Sequence, residues 1–350
     1  MQNQYRDSFD ILRVVAIFGI VWAHMFAPLA QLGRTALDLF LMLTAALAIR
    51  SIRRSSGSHT WVLRGLAVLA LWVGWSLFYK LIEVYRTRDI WTLFEINEPN
   101  SLLIGSTIHL WYLPFILLAA PICLLATRLI RSRRDLIIAC AIAVVPSVGL
   151  IYVHVFNDLP EPFAQWTFAL PAYFYGIFAA YGWEFRMTAV PLSFMAVTSA
   201  LALLLTGSDA APQYLLAAVI FEACWMMPWG TQQFRPLGQM VLGIYLIHPF
   251  FMLVVFKLFG GNVNRALGAI ATFAMSMAAV YVLQRIPMVR KIVELSRSKT
   301  DCAPTSCPAY SGAASRHQPI DKSTRKTSRR ENLPDNGVGQ DHIAGLAKPH

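Results

Sequence analysis

Five ionisable residues lie inside long apolar stretches of the sequence and are the first candidates for chemistry: His24, Asp38, His109, Glu222 and His248. In hydrocarbon each is costly unless it meets a polar partner or a water-filled cavity. Histidine suits a general base because its ordinary pKa, about 6.5, lies close to neutrality. Glu222 lies so deep in its stretch that we expect it to be either protonated or paired.

Arg13 and His24 have a spacing that an α-helix converts into a shared face. They are eleven residues apart, which turns them to within about 20° of one another and separates them by about 16 Å along the axis. Asp10 and His24, fourteen residues apart, fall about 40° apart. A guanidinium that binds an anionic substrate at one surface, with an imidazole deeper in the membrane, would suit a reaction inside lipid. The alternative is that Arg13 only anchors the topology and that His24 hydrogen-bonds a neighbouring helix.

The composition indicates what surrounds these residues. Of the 350 residues, 56% are hydrophobic and only 14% are charged, whereas about 25% of a soluble domain is charged. This excludes a cytosolic enzyme, a disulfide-stapled secreted domain and a disordered scaffold. The net charge of +11 comes from short clusters between apolar runs, which is typical of membrane loops and not of a nucleic-acid-binding stripe.

The apolar stretches predict an all-α, polytopic membrane protein. About 20 mostly apolar residues cross the hydrocarbon core as a helix. Ten stretches approach that length, at about 11–31, 36–52, 61–82, 107–127, 136–155, 164–183, 189–206, 212–230, 238–257 and 266–285.

Basic residues in the loops predict the orientation, because Lys and Arg are enriched on the cytoplasmic side. Sixteen fall on one side and five on the other. The five are Arg34, Arg86, Arg88, Lys257 and Arg265, and the sixteen are Arg6, Arg50, Arg53, Arg54, Arg64, Arg128, Arg131, Arg133, Arg134, Arg186, Arg235, Arg285, Arg290, Lys291, Arg297 and Lys299. We therefore expect both termini in the cytoplasm.

The chain divides into a membrane domain, residues 1–295, and a polar tail, residues 296–350. The tail has few large apolar residues, so we expect it to be disordered in the cytoplasm. The N-terminus lacks the features of a cleavable signal peptide. The five cysteines form neither a disulfide framework nor a metal-binding spacing, and we expect no metal.

Several short motifs appear in an order that resembles a known family. The stretch from Arg13 to His24 resembles the R-x10-H signature of membrane acyltransferase family 3, whose members are multi-span inner-membrane proteins that O-acylate cell-surface and exported carbohydrates. Four further stretches resemble motifs of that family in the expected order: Asp38-Leu-Phe40, His109-Leu-Trp-Tyr-Leu113, Pro171-Ala-Tyr-Phe-Tyr-Gly-Ile177 and Gly243-Ile-Tyr-Leu-Ile-His248-Pro249. The resemblance covers about residues 10–290.

The sequence also departs from that family. Thr44-Ala45-Ala46 stands where the family has Ser-Gly-Phe, and Trp61 replaces the first arginine of an R-x-x-R motif that keeps Arg64. If that arginine pair binds the donor's phosphates, then the donor contacts here are either altered or shared with Arg53 and Arg54. We expect no appended esterase domain, and we therefore expect the membrane domain and its loops to complete any transfer.

The resemblance implies an integral-membrane O-acyltransferase, with acetyl-CoA as the expected donor and a carbohydrate hydroxyl as the acceptor. His24 would be the general base or would carry the acyl group transiently, and both possibilities stay open. Arg13 would contact the phosphates of coenzyme A and assist catalysis, and Arg64 is a second candidate for the phosphates.

Four residues are candidates for acceptor binding: Asp38, His109, Trp111 and His248. Each also has a structural interpretation. Asp38 could cap the second helix, His109 with Trp111 could belong to an aromatic belt at the membrane interface, and His248 could hydrogen-bond to backbone freed by Pro249.

Two other functions fit the buried ionisable residues. One is a proton-coupled transporter or flippase for a glycolipid, and the other is a catalytically silent membrane scaffold. The expected partners are acyl-CoA, a carbohydrate or glycolipid acceptor and the lipid bilayer of a bacterial inner membrane, but not nucleic acid.

Overall fold

The computed structural model describes residues 6–54, 58–93, 101–227, 230–260 and 263–286. In this part of the chain all regular structure is helical. The helices are α1 (Asp7–His24), α2 (Leu32–Arg54), α3 (Ser58–Thr87), α4 (Ser101–Ile104), α5 (Tyr112–Leu129), α6 (Arg133–Phe156), α7 (Phe163–Phe185), α8 (Ala189–Thr206), α9 (Ala211–Met226), α10 (Arg235–Phe259) and α11 (Arg265–Leu283).

Each of the ten predicted stretches coincides with one long helix, and α4 is the short exception. Within the described ranges, seven helices are long and apolar enough to cross a membrane, namely α2, α3, α5 with the turn before it, α6, α8, α10 and α11. Of the other three, α1 carries three charged residues, α9 has only 16 residues, and α7 is rich in Tyr, Trp and Gly. Ten crossings therefore stay a prediction. The tail, residues 296–350, lies outside the described residues, as does Pro228.

The outer faces of the helices carry large apolar side chains that no other helix in the described ranges covers. Leu66, Val73, Val145 and Leu204 are each more than half exposed. Contiguous apolar surface on this scale is unfavourable in water and favourable in hydrocarbon. The protein is accordingly a multi-pass membrane protein.

The first helix ends earlier than the hydropathy predicts, at His24 instead of near residue 31. Ala27 N donates to the carbonyl of Trp22, and Phe26 N donates to the carbonyl of Ala23. With Phe26 in the left-handed region at φ 52°, these two bonds form a Schellman motif that closes the helix. Hydropathy could not reveal this end because residues 25–31 are themselves mostly apolar.

Small residues bring α1 and α2 close together beside His24. A Cβ added at Gly33 would lie 2.0 Å from the Cβ of Ala23, and one added at Gly19 would lie 2.6 Å from the Cβ of Ala36. Only glycine permits such an approach, as at many helix contacts in membranes. The α1–α2 contact thus holds His24 against the first turns of α2.

Candidate active site

Three histidines from distant parts of the chain come together. The ring centroids of His24 and His248 are 5.4 Å apart, and those of His248 and His109 are 5.7 Å apart. His24 is the last residue of α1, His248 lies near the middle of α10, and His109 lies in the 3-10 turn before α5. We call these three residues the histidine cluster.

The cluster has an exposed member and two buried ones. His24 is exposed, whereas His109 is 5% exposed and His248 is fully buried. A substrate can therefore reach His24 directly, with the other two rings behind it.

His248 is oriented by the proline that follows it. Pro249 has no N–H, so the carbonyl of Tyr245, four residues earlier, loses its helical partner. His248 Nδ1 lies 2.6 Å from that carbonyl oxygen, and since a carbonyl only accepts, Nδ1 must carry the proton. This confirms the predicted bond to backbone freed by Pro249, and it leaves His248 Nε2 as an acceptor with no hydrogen-bond partner among the described residues.

The position of His109 is set by hydrogen bonds around its turn. Tyr245 Oη donates to the His109 carbonyl at 2.6 Å, and the Tyr79 and His109 rings contact edge to face at 5.0 Å. His109 Nε2, like His248 Nε2, is buried without a partner within the described ranges. The two nitrogens are therefore open to a neighbour or a ligand.

His24 lines an open cleft of about 290 Å³. The cleft lies where α1 and α6 end and α2 and α7 begin. Its lining residues are Ile20, Ala23, His24, Gly33, Arg34, Leu37, His154, Ala164, Gln165 and Phe168. We call it the histidine cleft. It combines apolar walls with a few polar groups, which is the usual character of a site for a small ligand.

The polar residues of the histidine cleft have defined orientations. The Arg34 guanidinium lies over the Phe168 ring, 4.8 Å from its centroid. His154 Nδ1 lies 2.9 Å from the carbonyl oxygen of Ala164, so Nδ1 carries the proton and Nε2 is an acceptor. Gln165 Oε1 is buried without a hydrogen-bond partner among the described residues. The cleft thus offers hydrogen-bond donors and acceptors of the kind that sugar hydroxyls need.

Asp38 does not cap the second helix, contrary to one of its two sequence interpretations. Because α2 begins at Leu32, Asp38 lies in its second turn. It is fully buried, and neither carboxylate oxygen has a hydrogen-bond partner in the part of the chain described. Asp38 interacts electrostatically with Arg34, one helical turn before it. Asp38 itself does not line the histidine cleft.

Arg13 lies away from the histidine cleft. Its Nη1 bonds Asp10 at 2.9 Å, and its side chain is 30% exposed. Asp10 packs against Gly238 of α10, so Asp10 and His24 both face α10, and they share one side of α1 as their spacing predicts. The Arg13 guanidinium acts electrostatically on Tyr112, whose ring is 5.3 Å from that of Tyr245.

The remaining predicted site residues also lie outside the histidine cleft. Arg64 Nη1 donates to Ser51 Oγ at 2.8 Å. Trp111 is buried against Phe115, with ring centroids 5.7 Å apart. The side chains of Arg54 and Trp61 lie outside the described residues.

The Thr44-Ala45-Ala46 stretch has a packing role. A Cβ added at Gly176 of α7 would lie 2.3 Å from the Met42 carbonyl and 2.9 Å from the Ala45 Cβ. The backbones of α2 and α7 therefore touch at this point, and a larger residue at position 45 would not fit. Thr44 Oγ1 is 2.7 Å from Tyr112 Oη.

Glu222 is paired, one of the two states predicted for it. Its carboxylate accepts from Tyr175 Oη and from Trp183 Nε1, each at 2.9 Å. Both donors belong to α7, so Glu222 joins α9 to α7. It has no contact with the histidine cleft.

Three polar residues of the cleft were missed by the sequence reasoning: Arg34, His154 and Gln165. His154 lies inside the apolar stretch 136–155 and meets the same criterion that selected the other histidines. Arg34 was assigned to a loop because α2 was expected to begin at residue 36. Nothing in the local sequence distinguishes Gln165 from an ordinary residue at a helix start.

Comparison with known proteins identifies the chain at the level of a family. A family model described as an acyltransferase domain, that of acyltransferase family 3, matches residues 6–285. The chain belongs to acyltransferase family 3. No curated protein and no solved structure gives a significant match. All three members of the histidine cluster and all ten residues of the histidine cleft lie within the matched range of this membrane acyltransferase.

Proposed function

We propose that this acyltransferase moves an acyl group, in the first instance acetyl, from coenzyme A to a hydroxyl of a cell-surface or exported carbohydrate. The single observation that carries the proposal is the position of His24 on the wall of an open cleft, backed by His248, in a chain of acyltransferase family 3. A positioned histidine is the commonest general base in enzymes.

In the proposed reaction the acceptor hydroxyl enters the histidine cleft beside His24. His248 Nε2 holds a lone pair, because its Nδ1 proton is engaged by Tyr245. The His24 and His248 ring centroids are 5.4 Å apart, and in the proposed reaction the His24 ring turns so that its N–H is donated to this nitrogen, which has no other partner among the described residues. This leaves the other nitrogen of His24 unprotonated toward the cleft. That nitrogen takes the hydroxyl proton while the hydroxyl oxygen attacks the thioester carbonyl, and it returns the proton to the departing thiolate.

Arg13 and Arg64 are the proposed contacts for the donor's phosphates. A planar guanidinium makes paired hydrogen bonds to phosphate oxygens, and part of the Arg13 side chain is exposed. The charge distribution predicts that α1 begins in the cytoplasm of a bacterial inner membrane. Arg13 would then meet cytosolic acetyl-CoA, and the histidine cleft would open to the opposite side, where exported carbohydrate is found.

The proposal is tested by His24→Ala in membranes supplied with acetyl-CoA labelled in the acetyl group and with the cell's own surface glycan. We expect label transfer to fall by about 10² to 10⁴-fold, the contribution of a positioned base. His24 ends its helix and is exposed, so the variant should be produced and should melt in detergent like the wild type.

Unchanged label transfer by a normally produced His24→Ala protein would refute the proposal. Movement of a glycolipid across the membrane without covalent change, and without need for acyl-CoA, would indicate a transporter instead.

A further inference from the structure

A second cleft, of about 500 Å³, adjoins the histidine cleft, because Arg34 lines both. Its lining residues are Ala30, Gln31, Arg34, Ser208, Asp209, Ala210 and Gln213. We call it the polar cleft. We propose that it binds the sugar unit next to the one that is acylated, so that the acceptor is an oligosaccharide or a longer glycan. This inference rests on the proposed function.

The lining of the polar cleft suits sugar hydroxyls, which both donate and accept hydrogen bonds. Gln31 and Gln213 carry amides that can do both, and Asp209 carries an acceptor. Gln213 Oε1 is buried with no hydrogen-bond partner among the described residues. A buried amide oxygen without a partner is costly, and a bound hydroxyl would satisfy it.

Arg34 is positioned to contact both sugar units. The Arg34 guanidinium packs on the Phe168 ring, 4.8 Å from its centroid, and Arg34 lines both clefts with five N–H donors. Asp38, the nearest acid on the same helix, forms no hydrogen bond or ion pair with it in the described part of the chain. One guanidinium can therefore donate to a hydroxyl in each cleft at once.

The charges of the polar cleft favour a hydroxyl-rich ligand over a polyanion. Arg34 contributes one positive charge and Asp209 one negative charge to the lining. An anion-binding site would be expected to carry an excess of basic groups. The two formal charges cancel, and the remaining polar groups are neutral.

The test compares two acceptors made from one glycan. Oligosaccharides are released from the cell's own surface glycan by mild acid, and monosaccharides are obtained from it by complete hydrolysis. With labelled acetyl-CoA and membranes that contain the wild-type protein, we expect a KM for the oligosaccharides at least about tenfold below that for the monosaccharides, as one or two further hydrogen bonds would give.

Two variants assign the difference to the polar cleft. Gln213→Ala should raise the KM for the oligosaccharides by about three- to tenfold, the loss of one neutral hydrogen bond. Asp209→Asn, which exchanges a charged acceptor for a weaker neutral one, should raise it by about three- to fivefold. In both variants kcat and the KM for monosaccharides should be unchanged. Asp158→Asn is the matched control, since Asp158 is an exposed acid of the α6–α7 connection that lines neither cleft. It should change neither constant.

Equal KM values of the wild type for the two acceptors would overturn the inference and leave the proposed function standing. An equal rise in both KM values in the variants would do the same. Absence of transfer from acetyl-CoA to every acceptor by the wild-type protein would overturn the proposed function and, with it, the subsite.

Discussion

The buried acids at the two ends of the helix bundle differ in whether they are hydrogen-bonded. At the cleft end, where α1 ends and α2 begins, Asp38 is fully buried and has no hydrogen-bond partner among the described residues. At the other end, which we call the tryptophan end after Trp183 and Trp225, the acids are satisfied. Asp7, for example, accepts from Thr231 Oγ1 and from the N–H groups of Gln232 and Phe234, just before α10.

The tryptophan end is held together by stacked rings and cations. The rings of Trp183 and Trp225 lie 3.8 Å apart and nearly parallel, and the Arg6 guanidinium lies 3.9 Å from the centroid of the Trp225 ring. Arg6 also donates to the carbonyl of Trp225. Such contacts stabilise and fix the packing of α1 against α9.

The difference indicates which polar groups serve stability and which serve function. Buried groups are nearly always hydrogen-bonded, and exceptions concentrate at functional sites, where the rest of the fold compensates their cost. We therefore expect substitutions at the cleft end to lower activity more than stability, and substitutions at the tryptophan end to do the reverse.

The largest expected effect comes from a substitution that keeps the hydrogen bond of His248 Nδ1 and removes Nε2. His248→Asn places an amide N–H where Nδ1 donates to Tyr245, so the bond to the freed carbonyl is kept while Nε2 is lost. We expect about 100-fold slower acetyl transfer, the lower range for loss of a base, and an unchanged melting temperature in detergent. His248→Gln, which can place a polar atom near the position of Nε2, should retain more activity than His248→Asn.

If His248→Asn transferred acetyl at the wild-type rate, Nε2 would have no part in the reaction. If both variants instead melted lower and were inactive in proportion to the unfolded fraction, His248 would be structural only. Either result would break the contrast between the two ends.

An intermediate effect on stability is expected at the tryptophan end. Glu222→Gln replaces one acceptor oxygen with an N–H₂ group that faces Tyr175 Oη or Trp183 Nε1. The Tyr175 hydroxyl would then accept from that group and turn its own proton to the Ala218 carbonyl, 3.4 Å away. These bonds are weaker than those to a carboxylate, by about 1–2 kcal/mol in total, so the melting temperature should fall while transfer per folded molecule is kept.

Glu184→Gln is the control for Glu222. Glu184 pairs with Arg53 at 2.7 Å, but both side chains are about two-fifths exposed, and exposed pairs contribute about 1 kcal/mol or less. If Glu222→Gln abolished transfer without changing the melting temperature, the comparison between the two ends would be wrong.

The smallest expected effect is a gain in stability. Asp38→Leu removes a buried carboxylate that has no hydrogen bond, and it should stabilise the protein by about 1 kcal/mol, as replacement of buried ionic groups by apolar ones often does. It also removes the electrostatic interaction with Arg34, so the KM for the acceptor should rise while the KM for acetyl-CoA stays the same. Melting curves and the two KM values check this expectation. A lower melting temperature would show that Asp38 has a stabilising partner.

The positions of the helices followed from local sequence, but some of their ends did not. Each long helix lies over a predicted apolar stretch, because a span must satisfy its own backbone hydrogen bonds. The end of α1 depended on the Schellman motif at Phe26, which hydropathy does not register. Because the first span was expected to run to residue 31, the second was expected to begin only at residue 36, whereas α2 begins at Leu32. Asp38 was therefore placed in the first turn of that helix and Arg34 in a loop, and Arg34 was overlooked as a site residue.

The sequence by itself determined that the protein is an all-helical membrane protein, that Asp10 and His24 share one side of α1, and that His248 bonds to the backbone that Pro249 frees. All three follow from chemistry within one helix. Only the tertiary structure decided that His24, His109 and His248 meet, that Arg13 lies outside the cleft that His24 lines, and that Arg34 joins two clefts. These contacts depend on how closely whole helices approach, which is set by small residues such as Gly238 of α10, which packs against Asp10 of α1.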